Sequence, residues 1–187
     1  MELVLFYSPK EIPYGCFSNF SRHGLMFMGR KWKTSEASFQ AMKFFPHRMD
    51  LVDRIHNAAN PMAAATIGRD RTLPLREDWD SPFIRTNEHP DFDNLVDDGR
   101  GPSKVINLVK DWAMFGVVLS KFDQNESCQL VLLSTGESPI IESTVHDPYW
   151  GWGSSKTGVN RLGKILMAVR KIIRLNHVGS FKSSWST

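Results

Sequence analysis

One short stretch limits the folds open to this chain more than any other: Thr34-Ser35-Glu36-Ala37-Ser38-Phe39-Gln40-Ala41-Met42-Lys43-Phe44-Phe45. Wound as an α-helix at about 100° per residue, it sets Glu36, Gln40 and Lys43 in a stripe only about 60° wide. Phe39 borders that stripe on one side and Phe44 on the other. A carboxylate, an amide and an amine framed by aromatic rings are poorly suited to a solvated face. They suit the floor of a polar pocket, where an acid and a nucleophilic amine act on one substrate. Periodicity alone also allows the plainer arrangement, an amphipathic helix with its polar face in water. Glu36 and Lys43 are two turns apart rather than at the i,i+4 spacing that decorates surface helices, and Gln40 between them could hydrogen-bond to either.

The rest of the chain is consistent with one soluble domain. Its 187 residues, 41% hydrophobic and 23% charged, are enough for one proper core and few for two. No apolar run approaches the roughly 18–20 residues that span a bilayer. The opening Met1-Glu2-Leu3-Val4-Leu5-Phe6-Tyr7 is too short and lacks the basic flank of a signal peptide, so it reads as a buried strand and the chain as cytoplasmic. Cys16 and Cys128 stand far apart with no second cysteine beside either. That excludes a Cys-rich zinc site and argues against a disulfide framework. Six scattered histidines show no ligand spacing, so no metal is expected. A formal charge of +3 permits an anionic ligand or nucleic acid and demands neither.

Local signals divide the chain mostly into helices. Leu25-Met26-Phe27 and Arg30-Lys31-Trp32 flank Met28-Gly29 as a hairpin, and Thr34 or Ser35 caps the Glu36 helix. A second helix is predicted over 49–59 with Leu51, Val52 and Ile55 inward, and Pro61 opens a third. Prolines, glycines and aspartates over 80–102 predict a long loop insertion. Helices over 104–122 and 128–133 follow, then a short strand at Ile140-Ile141-Glu142. Asn160 caps a last helix with a buried stripe of Leu162, Ile165, Leu166, Val169 and Ile173, and 176–187 reads as a loose tail. The expected fold class is α+β: one predominantly helical domain over 1–175 with a small β-sheet.

Three further segments carry polar chemistry. Gly68-Arg69-Asp70-Arg71 could fork two arginines onto a phosphate, or Arg69 could pair with Asp70 to tie a helix end to the core. Asp147 stands in an aromatic loop with Tyr149, Trp150 and Trp152. That set suits stacking on a planar base while the carboxylate takes a ribose or base N–H; an aromatic core corner is the plain alternative. Nearby Ser154-Ser155-Lys156-Thr157 is no P-loop, because that motif needs Gly-Lys-Ser/Thr in order. Ser18-Asn19-Phe20 alone is a turn with two short polar side chains.

Taken together and in this order, the segments resemble the NADAR, or YbiA-like, family. The resemblance rests on Phe6-Tyr7-Ser8, Ser18-Asn19-Phe20, and Trp32 to Phe44 as Trp-x-Thr-Ser-Glu-x-x-x-Gln-Ala-x-Lys-Phe. It continues through Gly68-Arg69-Asp70-Arg71, Asp147-x-Tyr149-Trp150-Gly151-x-Gly153 and Gly158-x-Asn160-Arg161-Leu162-Gly163, ending near Arg170. Trp152 departs from the pattern: many members carry a small or acidic residue there.

The resemblance implies a cofactor-free N-glycosidase that cuts the C1′–N bond between a ribose and a base nitrogen. Its implied substrates are ADP-ribosylated guanine, as nucleotide or in nucleic acid, and phosphoribosylamino-pyrimidine intermediates of riboflavin synthesis. Both are phosphate-bearing ribosyl groups; no membrane or stable protein partner is implied. A non-catalytic ADP-ribose reader is the rival, though it would need neither acid nor amine. By motif position Glu36 is the acid/base, Lys43 the nucleophile, and Asp147 and Trp150 belong to the same pocket. Ser18, Phe20, Gln40, Gly151 and Trp152 line it, Asn19 and Asn160 help hold the sugar, and Arg69 faces phosphate. Such a lysine must be desolvated to be neutral, whereas a charged Glu36 beside it would hold its proton on.

Overall fold

The protein is described by a computed structural model covering residues 2–82 and 106–178. Most of the predicted 80–102 insertion, with its acidic run 91–98, and the tail beyond 178 lie outside the described residues. In chain order the elements are β1 (Val4–Phe6), a 3-10 turn (Tyr14–Phe17), β2 (Leu25–Phe27) and β3 (Arg30–Trp32). Helices α1 (Ser35–Met42), α2 (Met49–His56), α3 (Pro61–Arg69), α4 (Val109–Gln124) and α5 (Glu126–Ser134) follow, then β4 (Ile140–Glu142) and α6 (Arg161–Val178). The α+β class is as expected. The strands, however, form two separate pairs rather than one sheet: β1 lies parallel to β4, and β2 antiparallel to β3. A parallel pair needs a long crossover, and here the intervening helices supply it.

Local chemistry accounts for most helix ends. Thr34 Oγ1 accepts the Ala37 N–H at 3.2 Å, so Thr34 rather than Ser35 is the cap of α1. Asn60 Oδ1 accepts the Ala63 N–H at 2.9 Å with Pro61 at the first position, and this new start ends the preceding helix short of 59. The long helix begins at Val109, not near 104. Leu108 is extended and bridges to Pro82, and Asp111 Oδ2 accepts the N–H groups of Asn107 and Leu108, fixing the helix start there. At the other end α6 runs to Val178, into the expected tail.

α1 is the centre of the molecule. Every residue from Ser35 to Met42 is buried, because α2, α3 and α4 all pack against it. α4 in turn packs on α6, and α6 on β4, around Met114, Phe115, Val118, Phe122, Ile140, Ile165 and Leu166. Enclosure of α1 buries Glu36 and Gln40 of the polar stripe and leaves only Lys43 partly exposed. No helix of the described residues is long and apolar enough to cross a membrane.

Candidate active site

Glu36 is only 5% exposed. An unpartnered carboxylate there would be costly, so its neighbours decide its state. Gln40 Nε2, one turn on, donates to Glu36 Oε1 at 2.8 Å, and the Arg69 guanidinium stands 3.8 Å from the same oxygen. Burial nevertheless pushes the Glu36 carboxyl above the usual carboxylate range, against the pull of Gln40, Arg69 and Lys43. Lys43 sits at the C-terminal cap of α1, where Nζ donates to Gly68 O at 2.7 Å and lies 6.0 Å from the Phe39 ring centre. Burial draws its pKa down to about 8; Glu36 opposes the shift, and Arg69 and Arg71 add to it. Desolvation wins over pairing in both groups, which moves each toward its neutral form. At neutral pH roughly a tenth of such an amine is unprotonated, enough for a nucleophile.

The amine reaches Gly68 because α3 packs tightly on α1. A Cβ on Gly68 would stand 2.1 Å from Gln40 Oε1 and 2.8 Å from Gln40 Cβ, so only glycine leaves room for the Gln40–Glu36 bond and the Lys43 contact together. Arg69, next along, has a side chain 63% exposed and reaches from solvent to Glu36. It does not pair with Asp70. Asp70 Oδ1 instead accepts from the Thr72 backbone N–H and hydroxyl, closing the turn after α3.

The third side of the site comes from β4 and the aromatic loop. Asp147 Oδ1 accepts the N–H groups of Tyr149 (2.9 Å) and Trp150 (2.8 Å), folding the loop back so that Trp150 meets the Phe39 ring edge-on at 5.3 Å. Trp79 covers another part of Phe39 at 5.5 Å. The fully buried Asp111 anchors the loop: the Tyr149 hydroxyl donates to it at 2.5 Å, and the Arg161 guanidinium is 3.6 Å away.

Glu142, the last residue of β4, completes the group, and sequence reasoning passed over it. Burial, then the charges of Asp147 and Glu36, raise its pKa to about 7. The signal available was a lone acid ending an apolar strand five residues before Asp147. Its backbone is held on both sides. The Glu142 N–H donates to Asn160 Oδ1 at 3.0 Å, and its carbonyl accepts the Trp152 N–H at 2.9 Å.

The predicted site residues therefore divide. Glu36, Gln40, Lys43, Arg69, Asp147 and Trp150 are brought together. Asn19 joins them: its carbonyl accepts the Glu36 N–H at 2.9 Å, and its Nδ2 donates to Met114 Sδ at 3.2 Å. Asn19 Oδ1, Gln40 Oε1 and Glu142 Oε2 are buried and accept no hydrogen bond from the described residues. Asn160 does not point its amide at this group; it is spent on Ile140 O (2.9 Å) and Glu142 N. Gly151 is a spacer, since a Cβ there would lie 2.6 Å from Glu142 O. Trp152 is half-buried and serves through its backbone. Ser18 Oγ accepts the Phe20 N–H and Ser18 O accepts from Lys121, so both Ser18 and Phe20 shape the loop that carries Asn19.

Comparison with known proteins identifies the family and the fold. Residues 5–174 match the NADAR domain. The chain is 39% identical to N-glycosidase Npun_R5314 of Nostoc punctiforme over 87% of each protein. It is 34% identical to N-glycosidase YbiA of Escherichia coli over 90% of this chain and 87% of that one. The solution structure of E. coli YbiA superposes with a TM-score of 0.73, covering 97% of this chain and 90% of that one at 31% identity. A maize protein named as riboflavin biosynthesis protein PYRR, chloroplastic, is 31% identical over 91% of this chain, which spans a quarter of its length.

Proposed function

The chain belongs to the NADAR domain family and is a hydrolase of N-glycosyl bonds, and we propose that it removes ADP-ribose from guanine through a Schiff base on Lys43. One observation carries this reading: an amine with a pKa near 8 stands beside a buried carboxyl and an exposed arginine. The neutral Lys43 nitrogen attacks C1′, the C1′–N bond breaks, and the ribose ring opens to an imine with the lysine. Glu36 takes the proton that Lys43 sheds and passes it to the ring oxygen as the C1′–O4′ bond breaks. Water then adds to C1′, expels the lysine and frees the sugar.

The surroundings support the substrate class. Asn19 Oδ1 and Gln40 Oε1 are buried acceptors without donors among the described residues, and ribose hydroxyls and a base N–H are donors. Phe39 and Trp150 offer ring surface for a planar base, and Arg69 is placed at the solvent edge to meet phosphate. The free, buried thiols of Cys16 and Cys128 suit the reducing cytoplasm, where we place the enzyme.

A second substrate has its own support. The name of the maize relative favours a phosphoribosylamino-pyrimidine, whose exocyclic amine leaves by the same chemistry. Incubating the protein with ADP-ribosylated guanosine and, separately, with that ribosylamine, and following free base by chromatography, ranks the two. Turnover of the pyrimidine alone transfers the assignment to it; turnover of neither ends both. Borohydride should trap a sugar adduct on the wild type and not on Lys43→Ala, and an equal adduct on the variant removes lysine as the nucleophile.

A further inference from the structure

We infer that Glu142 is the proton donor to the departing nitrogen, so that two carboxyl groups share the acid–base work: Glu36 serves the lysine and Glu142 serves the leaving group. This rests on the N-glycosidase reading above and goes beyond it, because neither the resemblance nor the motifs assign Glu142 any part.

The first argument is placement. The structure devotes four residues to holding the Glu142 backbone: Asn160 takes its N–H, Trp152 donates to its carbonyl, and Gly151 lets the loop approach that carbonyl closely. Phe6 on β1 pairs alongside it. All of this holds main chain and leaves the carboxyl unspent, with Oε2 buried and accepting nothing from the described residues. A group merely filling space would be apolar here; a group positioned for chemistry is rigid in backbone and free at its tip.

The second argument is charge. The titratable groups that face Glu142 are Asp147 from the loop and Glu36 from α1, both carboxyls, while Asn160, just before α6, is neutral. Glu36 has Gln40 and Arg69 to stabilise its anion. Two acids in one site with unequal support separate into a base and an acid. Glu142, with carboxyls facing it and no donor to Oε2 among the described residues, is the one whose anion has less support.

The proton count then closes. In the bond-breaking step Lys43 Nζ bonds to C1′, and the C1′–N electron pair goes to the base nitrogen, which takes the Glu142 proton. Glu36 receives the proton shed by the lysine and passes it to the ring oxygen as the C1′–O4′ bond breaks, leaving a protonated Schiff base. In the hydrolytic half, the Glu142 carboxylate removes a proton from the water that adds to C1′, and Glu36 relays the hydroxyl proton of that adduct to the departing lysine. Both acids end as they began.

The test uses Glu142→Gln, which keeps shape and neutrality, with three probes: ADP-ribosylated guanosine, the riboflavin-type ribosylamine, and para-nitrophenyl riboside 5-phosphate, whose phenolate leaves without protonation. Expected for the variant are wild-type melting, turnover of the natural-type amines down about 10²–10⁴-fold, and the nitrophenyl riboside slowed less than about tenfold. The wild-type rate should fall at alkaline pH as the acid is lost, and that limb should be missing from the variant. Carbon NMR of glutamate-labelled protein should show one carboxyl titrating near neutrality that vanishes in Glu142→Gln. A variant matching the wild type in rate and pH profile overturns the assignment and leaves the N-glycosidase intact. A wild type that releases no amine from any probe sinks that reading, and this inference with it.

Discussion

Two buried lysines of this protein look alike to a titration and differ in everything else. Lys43 and Lys121 are both drawn down to about 8 by burial, and each donates to a backbone carbonyl: Lys43 to Gly68 O at 2.7 Å, Lys121 to Ser18 O at 3.0 Å. Lys121 is wholly enclosed, at 0% exposure, in the middle of α4. Its titratable neighbours are the free thiols of Cys16 and Cys128 and the His23 ring. Interaction between the two thiols, with Lys121 beside them, lowers Cys128 to about 7, while that interaction and burial push Cys16 up. Lys43 is only partly buried, faces Glu36, and sits below an exposed Arg69. Desolvation alone thus produces a low lysine pKa wherever an amine is enclosed. What separates a reactive amine from a structural one is access and a proton acceptor within reach.

The sharpest way to break the comparison is to replace each lysine by methionine. Lys43→Met should lose turnover by about 10³-fold or more while melting at the same or a higher temperature, because a desolvated amine costs stability. Lys121→Met should keep turnover within about tenfold and change stability by no more than about 0.5–1.5 kcal/mol, since Ser18 O loses the lysine but keeps the Ser21 N–H at 3.1 Å. Base release and thermal unfolding measure both. Equal losses of turnover would abolish the distinction.

A second prediction concerns the proton acceptor. Glu36→Gln should slow turnover by about 10²–10⁴-fold. It should also move the ascending limb of the rate–pH profile. The reactive form has Lys43 as the free amine and Glu142 protonated, so the profile is a bell between about 7 and 8; the Glu36 charge raises the Lys43 pKa, and removing it shifts the amine's limb to lower pH. A limb that stays in place would mean that Glu36 is already neutral in the resting enzyme.

Packing gives a smaller effect. Gly68→Ala forces Gln40 away and should cost about 1–3 kcal/mol of stability, with turnover down by about 10²-fold as the Lys43 contact loosens. Smallest is Arg69→Ala. A solvent-exposed arginine facing phosphate should raise KM a few-fold, less at high salt, with little change in kcat. A kcat loss equal to that of Glu36→Gln would place Arg69 in the chemistry itself.

Much of the scaffold was legible from local chemistry. The hairpin around Met28-Gly29, the Thr34 cap, Pro61 at a helix start and the strand at Ile140-Ile141-Glu142 each follow from residues a few positions apart. The stripe of Glu36, Gln40 and Lys43 was legible for the same reason, and the Gln40–Glu36 bond is an i,i+4 contact within one helix. Arg69 misled, because its neighbour in sequence was Asp70 while its partner in space is Glu36. Asn160 misled in another way: an amide at a loop end looks free for ligand, yet here it clamps β4. Glu142 and the Cys16–Cys128 contact had no local signature at all.

By itself the sequence determined which residues share a helix face, where helices begin, and that an acid and an amine stand two turns apart, because these depend on backbone geometry over a few residues. Tertiary structure alone decided that Glu36 and Gln40 are enclosed, that Lys43 stays partly accessible while Lys121 is sealed in, and that a second acid arrives from β4. Those outcomes depend on desolvation and on charges brought together from distant parts of the chain, and neither quantity exists until the chain has packed.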